Sequence, residues 1–196
     1  MRHAVILAHP APESLNRLIA TTYVEAARGL GQAADLIDLY AIGFDPCLKA
    51  AEIPGPNLPR FGADVERERH RLAEARVFAF VYPLWFNGPP AILKGYIDRV
   101  FGMGFGFEPV VGGMEPQLNG RRLISITTSG APDDWLSETS ALEPLQLGFD
   151  HHIGAVCGLT VLDHLHFGGM TTGVRQDVVD RVVASVRQAV ASHFAC

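Results

Sequence analysis

Residues 82–90, YPLWFNGPP, set three aromatic rings and an asparagine between an apolar run and a helical pattern. Adjacent side chains cannot all face one way, so some of these rings point outward. Gly88, Pro89 and Pro90 restrict the collapse of the loop. Leu84, Trp85, Phe86 and Asn87, entered through Pro83, make an aromatic wall with exposed amides that suits a flat heterocycle with polar edges. Two further loops carry complementary chemistry. In AHPAPESLN (8–16), Ser14, Leu15 and Asn16 open a helix whose unpaired amides and partial positive charge suit a phosphate, and His9 adds a donor. Ser14 serves equally as a plain helix cap. In TTSGAP (127–132), Thr127, Thr128 and Ser129 offer hydroxyls, and Gly130 lets backbone approach a ligand closely; an ordinary strand-to-helix turn has the same composition.

These loops need elements to position them. Residues 2–8, RHAVILA, read as a buried strand, and residues from about 15 to 30 repeat apolar positions at helical spacing, with Gly31 as a stop. A second strand is expected over 33–40, a surface excursion over the proline-rich 46–59, and a charged helix over 62–75. RVFAFVYP, PAILKGYIDRVF and RRLISITT then read as strand, helix and strand. A mostly helical piece covers 140–158, and LTVLDHLHF makes a fifth strand. Val174, Val178, Val182 and Val186 mark an amphipathic closing helix. The strands are continuous apolar runs, as strands buried on both faces must be. The expectation is an α/β fold, a doubly wound five-stranded parallel sheet with helices on both faces, in a single domain over 1–196. Ligands of such sheets sit at the carboxyl ends of the strands, where the three loops lie.

The composition excludes other classes. The chain has 196 residues, 48% hydrophobic and 19% charged, and its net charge of −5 includes no basic block, which argues against nucleic acid as a partner. No apolar stretch reaches the roughly 18 residues of a membrane span. Cys47, Cys157 and Cys196 are odd in number and widely spaced, which signals neither disulfides nor zinc and fits the cytoplasm. GMGFGF follows a helix, whereas a dinucleotide fingerprint joins a strand to a helix, so it reads as a flexible aromatic flap. His164 and His166 share a strand face, but with no third ligand at fitting spacing no metal is expected.

YPLWFNGPPAILKGYIDRVF with GFGF, LAHPAPESLN and LISITTSG, in this order, resemble the NAD(P)H:quinone oxidoreductases of the flavodoxin-like superfamily, the DT-diaphorase group. The resemblance implies a noncovalent flavin, FAD or FMN, and ping-pong two-electron hydride transfer from NAD(P)H to a quinone-like acceptor in a homodimer. It places His9, Ser14, Leu15 and Asn16 at the phosphate, Pro83 to Asn87 along the ring, and Thr127, Thr128, Ser129 and Gly130 at the ribityl and pyrimidine edges. The amides of Ser129 and Gly130 would stabilise the charge that reduction creates. The tyrosine and histidine of the family's charge relay fall at Trp135 and Ala141, so that acid and base are missing. The flap carries Phe105, Phe107 and Pro109 where relatives often have tyrosines. Two alternatives share the resemblance: an ancillary subunit of a glutathione-gated potassium efflux system, with a membrane transporter as partner, and a flavodoxin-like electron carrier.

Overall fold

The structure, a computed structural model, describes residues 1–53 and 59–195. The chain runs β1 (Arg2–Leu7), α1 (Leu15–Gly29), β2 (Ala33–Asp38), α2 (Ala63–Leu72), β3 (Val77–Pro83), α3 (Ala91–Val100) and the strands β4 (Phe107–Val110) and β5 (Gly113–Pro116). It continues through β6 (Arg122–Thr128), α4 (Asp133–Glu138), α5 (Leu142–Leu145), a π-helical turn (Gln146–His151), α6 (His152–Cys157), β7 (Thr160–Phe167) and α7 (Gln176–Phe194). Five parallel strands form one sheet, as the sequence leads one to expect, and their order is β2-β1-β3-β6-β7. Each crossover carries a helix, because a parallel neighbour cannot be reached by a tight turn.

Alternation along the strands sends side chains to two cores. Val5, Leu7, Val81, Ile124 and Ile126 face α1 and α7, which contribute Ile19, Tyr23, Val182, Val186 and Val190. Ala4, Ile6, Phe78, Phe80 and Tyr82 face the other way, toward Val65 of α2, Leu93 and Tyr96 of α3, and Ile153 of α6. Every residue of β3 is buried. The closing helix is shifted from its expected start: Val174 precedes α7, and the buried stripe is Val182, Val186, Val190 and Phe194.

Two features depart from the sequence reading. The segment read as a flexible flap is packed. Gly106 is buried, and a Cβ there would lie 2.0 Å from the Phe101 carbonyl oxygen, so this glycine permits close approach rather than motion. The Phe105 ring meets Phe101 edge-on at 5.7 Å. Beyond it, β4 and β5 pair as an antiparallel hairpin, with Gly112 at φ 86° in the turn. Of the proline-rich excursion, residues 54–58 lie outside the described residues. On the near side of that gap, Glu52 is buried against Arg99 of α3, while Leu48 and Ile53 are exposed.

Candidate functional site

The three loops meet at the carboxyl edge of the sheet, bound by backbone hydrogen bonds that continue past the strands. The Ala8 amide donates to Val81 O at 3.0 Å, Leu84 N to Thr128 O at 2.7 Å, and Ser129 N to Phe167 O at 3.0 Å. His9 and Trp85, from different loops, have ring centroids 6.2 Å apart. The His9 Nδ1 accepts from the Ala11 amide at 3.0 Å, which fixes the first loop on itself.

At the start of α1, Ser14 takes the cap position with φ −88° and ψ 158°, and its Oγ accepts from Arg17 N at 3.2 Å. The amides of Leu15 and Asn16 at the helix start have no intrahelical acceptor. The first turn holds no acidic residue. Asn16 is buried, its Nδ2 donates to Thr128 Oγ1 at 2.9 Å, and its Oδ1 has no partner. Beside this turn lies a depression of about 480 Å³ lined by Pro12, Ser14, Leu15, Arg17 and Val174 among others.

The second loop is a two-residue β-corner. Trp85 N donates to Gly88 O at 3.0 Å and Gly88 N returns to Trp85 O at 3.2 Å. Phe86 and Asn87 occupy the corner with φ of 50° and 55°, a region glycine adopts freely and other residues enter at a cost of about 1–2 kcal/mol. The strain lifts Phe86 wholly into solvent, at 109% relative exposure, and leaves Trp85 at 44%. Such strain marks a functional candidate. The Asn87 Nδ2 donates to Ala141 O at 2.6 Å and latches the corner to the segment between α4 and α5. Pro83 is buried at the end of β3 and Leu84 is half-buried.

In the third loop Gly130 is exposed, whereas the side chains of Thr127 and Thr128 turn inward. Thr127 Oγ1 lies 2.8 Å from both His164 Nε2 and His166 Nδ1. His166 Nε2 continues to Ser129 Oγ at 3.0 Å, and His164 Nδ1 to Asp150 Oδ2 at 2.5 Å. Ser125 Oγ donates to Asp150 Oδ1 at 2.6 Å. The spacing of His164 and His166 on one strand was visible in the sequence, but Asp150 was not singled out. It is the one acid of an otherwise apolar or histidine-bearing turn, GFDHHIG, and its partners come from other strands. Burial takes His166 down to about 4, with Asp133 opposing and His164 adding to the fall. Among the described residues no group of three or more His, Cys, Asp or Glu is placed to hold a metal ion.

A cavity of about 580 Å³ lies elsewhere. Phe61, Ile97, Phe101, Met103, Phe107 and Phe149 help to line it, and none of the loop residues does. The Phe107 of the packed flap therefore borders this groove. The loop cluster, which is shallow, carries the strained corner, the free helix amides and the hydrogen-bonded network.

A parallel sheet in this strand order, with its polar loops gathered at the carboxyl edge, defines a flavodoxin-like protein. The chain belongs to that family: residues 1–192 match the family described by its flavodoxin-like fold. It is 30% identical over 86% of its length to an uncharacterized NAD(P)H oxidoreductase of Haemophilus influenzae, of which the match covers 84%. It is also 30% identical, over 83% of its length, to NAD(P)H dehydrogenase (quinone) 1 of Cavia porcellus, 66% of which is covered. Among solved structures, an NAD(P)H:quinone oxidoreductase from Methanothermobacter marburgensis superposes with a TM-score of 0.82 at 22% identity, covering 99% of this chain and 96% of that one. An FMN-dependent NADH-azoreductase from Bacillus anthracis in complex with FMN gives 0.67 at 18% identity, covering 100% and 99%. These two likenesses speak to the fold.

Proposed function

We propose that the chain is a flavin-dependent NAD(P)H oxidoreductase that reduces a quinone or a related electron-poor acceptor by two electrons. The observation that carries this reading is the convergence of free helix-start amides, an outward aromatic corner and the Ser129–Gly130 turn at one sheet edge. The relatives named for NAD(P)H and quinone, and the FMN-bound neighbour, support it. The residues fit a flavin: the open backbone amides of Leu15 and Asn16 suit its phosphate, with His9 and Ser14 beside them, and the unpartnered Oδ1 of buried Asn16 leaves an acceptor for a ligand hydroxyl. Trp85 and Phe86 offer ring faces, and Pro83, Leu84 and Asn87 hold them in place. Thr127 and Thr128 act through the groups they bond; the Ser129 amide, expected to meet developing charge, already donates to the Phe167 carbonyl oxygen, which leaves the Gly130 amide for that role. When bound, a flavin supplies hydride acceptance and release between two substrates that share one pocket.

The cofactor is assigned as FAD, for which the depression beside α1 offers room, with FMN as the alternative. The protein acts as a single domain and as a cytoplasmic homodimer; the exposed Val110, Val111 and Met114 of the β4–β5 hairpin support a second copy as partner. No described helix is long and apolar enough to cross a membrane. Purified protein is expected to be yellow, to release FAD or FMN on heating, and to oxidise NADH or NADPH with menadione. Protein that carries no flavin and cannot be reconstituted with either form ends this reading.

A further inference from the structure

Beneath the Ser129–Gly130 turn, five side chains form an unbroken hydrogen-bonded line: Ser129, His166, Thr127, His164 and Asp150. Its inner members are sealed, with Thr127, Asp150 and the supporting Ser125 buried and the His164 side chain 4% exposed. The inner end fixes the direction of every proton. A carboxylate only accepts, so His164 donates from Nδ1. With a neutral ring, its Nε2 accepts the Thr127 hydroxyl. Thr127 Oγ1 then accepts from His166 Nδ1, which leaves His166 Nε2 to accept the hydroxyl of Ser129. Each group from Ser129 to His164 donates once, and Asp150 only accepts.

One added proton reverses the whole line without moving a heavy atom. His164 then donates from both nitrogens, to Asp150 and to Thr127. Thr127 donates to His166 Nδ1, and His166 donates from Nε2 to Ser129 Oγ. The Ser129 hydroxyl turns to the Ala131 carbonyl oxygen, which stands 3.0 Å away as a ready acceptor. Only a line with this alternation of single donors and acceptors accommodates both states.

We propose that Ser129, His166, Thr127, His164 and Asp150 are a proton relay that stores one proton at the His164–Asp150 pair and exchanges it with the candidate site through Ser129. This rests on the reading above and deepens it. Reduction of a quinone consumes one proton besides the hydride: NAD(P)H, quinone and H⁺ give NAD(P)⁺ and hydroquinone. Ser129 passes its hydroxyl proton to the acceptor oxygen and takes one from His166 Nε2. His166 takes one from Thr127, and Thr127 takes one from His164, which is left neutral. Solvent reloads the line through Ser129 once the product has left. Burial keeps His166 a conductor rather than a store. The charged or titratable groups facing the line are few: Asp133 of α4 beside His166, the exposed Asp163 whose Oδ1 accepts the His164 amide, and the unpartnered Tyr82 hydroxyl near Asp150.

The test reads histidine ring nitrogens by long-range ¹H–¹⁵N NMR in the flavin-free full chain between pH 5 and 9. His166 is expected to remain neutral yet switch from the Nε2–H to the Nδ1–H tautomer as the pH rises. In Thr127→Val, which breaks the line at its middle, that switch at His166 is expected to be absent. In the flavin-loaded chain, His166→Gln is expected to lower menadione turnover at least tenfold at pH 8 and by less at pH 6, where solvent supplies more protons. A His166 ring that holds one tautomer throughout in the unmodified chain, or that titrates by itself, overturns the proposal. Because the tautomers are read without flavin, a broken relay and a failed cofactor assignment are told apart.

Discussion

Replacing Arg99 with methionine should invert how the stability of the fold responds to acid. The Arg99 side chain is 1% exposed and donates to Glu52, equally buried, through Nε at 2.9 Å and Nη2 at 2.7 Å. It also reaches Asp64 at 2.6 Å and the Asp45 carbonyl oxygen at 2.5 Å. The hydrogen bonds from Arg99 hold the Glu52 carboxyl at about 2, against 4.5 for a free glutamate. At about 1.4 kcal/mol per tenfold change in proton affinity, that depression is worth ~3 kcal/mol to the folded state. Because the folded value is depressed, the contribution is complete above about pH 4.5 and is lost as the pH falls toward 2. Arg99→Met removes the guanidinium and strands a buried carboxylate, which costs about 3–5 kcal/mol at pH 7. Desolvation then raises Glu52, so the variant regains stability as the pH falls from 7 to 5.5 and its deficit narrows. Urea unfolding followed by far-ultraviolet circular dichroism at the two pH values measures both quantities. A deficit below about 1 kcal/mol at pH 7, or one equal at both pH values, would show that the ion pair does not hold Glu52 and Asp64 to α3.

Phe86→Gly relieves about 1 kcal/mol of positive-φ strain at a side chain that packs against nothing, so the melting temperature should not fall while flavin affinity drops; fluorescence titration with FAD and FMN checks this. Gly106→Ala places a Cβ 2.0 Å from the Phe101 carbonyl oxygen and 2.8 Å from Cys157 Sγ. Overpacking of this kind costs about 1–3 kcal/mol, which calorimetry should record as a fall of several degrees. Burial lowers His3 and takes His166 to about 4. A base depressed in the fold binds fewer protons than its unfolded counterpart, so stability is full above about pH 6.5 and declines below it. The urea midpoint at pH 7.5 should exceed that at pH 5.5, and equal midpoints would contradict the burial of these rings.

What the sequence disclosed was whatever a local pattern dictates. The apolar runs of β1, β3 and β6 announce double-sided burial, and Ser14 announces the start of α1. The loop residues His9, Trp85 and Ser129 were legible because they follow such runs directly. Contacts between distant segments were not. Asp150 meets Ser125 and His164 only after the π-helical turn is laid across the sheet, and Arg99 meets Glu52 across 47 residues of chain. The hairpin of β4 and β5 escaped because four-residue strands broken by prolines and glycines carry too little alternation to be told from a loop. The flap was misread for a related reason: a glycine placed for close approach and a glycine placed for freedom look identical in one dimension.

The two helices that roof one face of the sheet stand at opposite ends of the chain. Synthesis supplies α1 early, and α7, with Val182, Val186, Val190 and Phe194, only after every strand has been made. Until then the sheet is half clad on that face, with Ile124 and Ile126 waiting for a partner. Gln32 Nε2, donating to the Phe194 carbonyl oxygen at 2.7 Å, joins the early segment to the late one. A chain halted before residue 176 would therefore lack α7's share of the cover on this face and expose apolar surface that invites association.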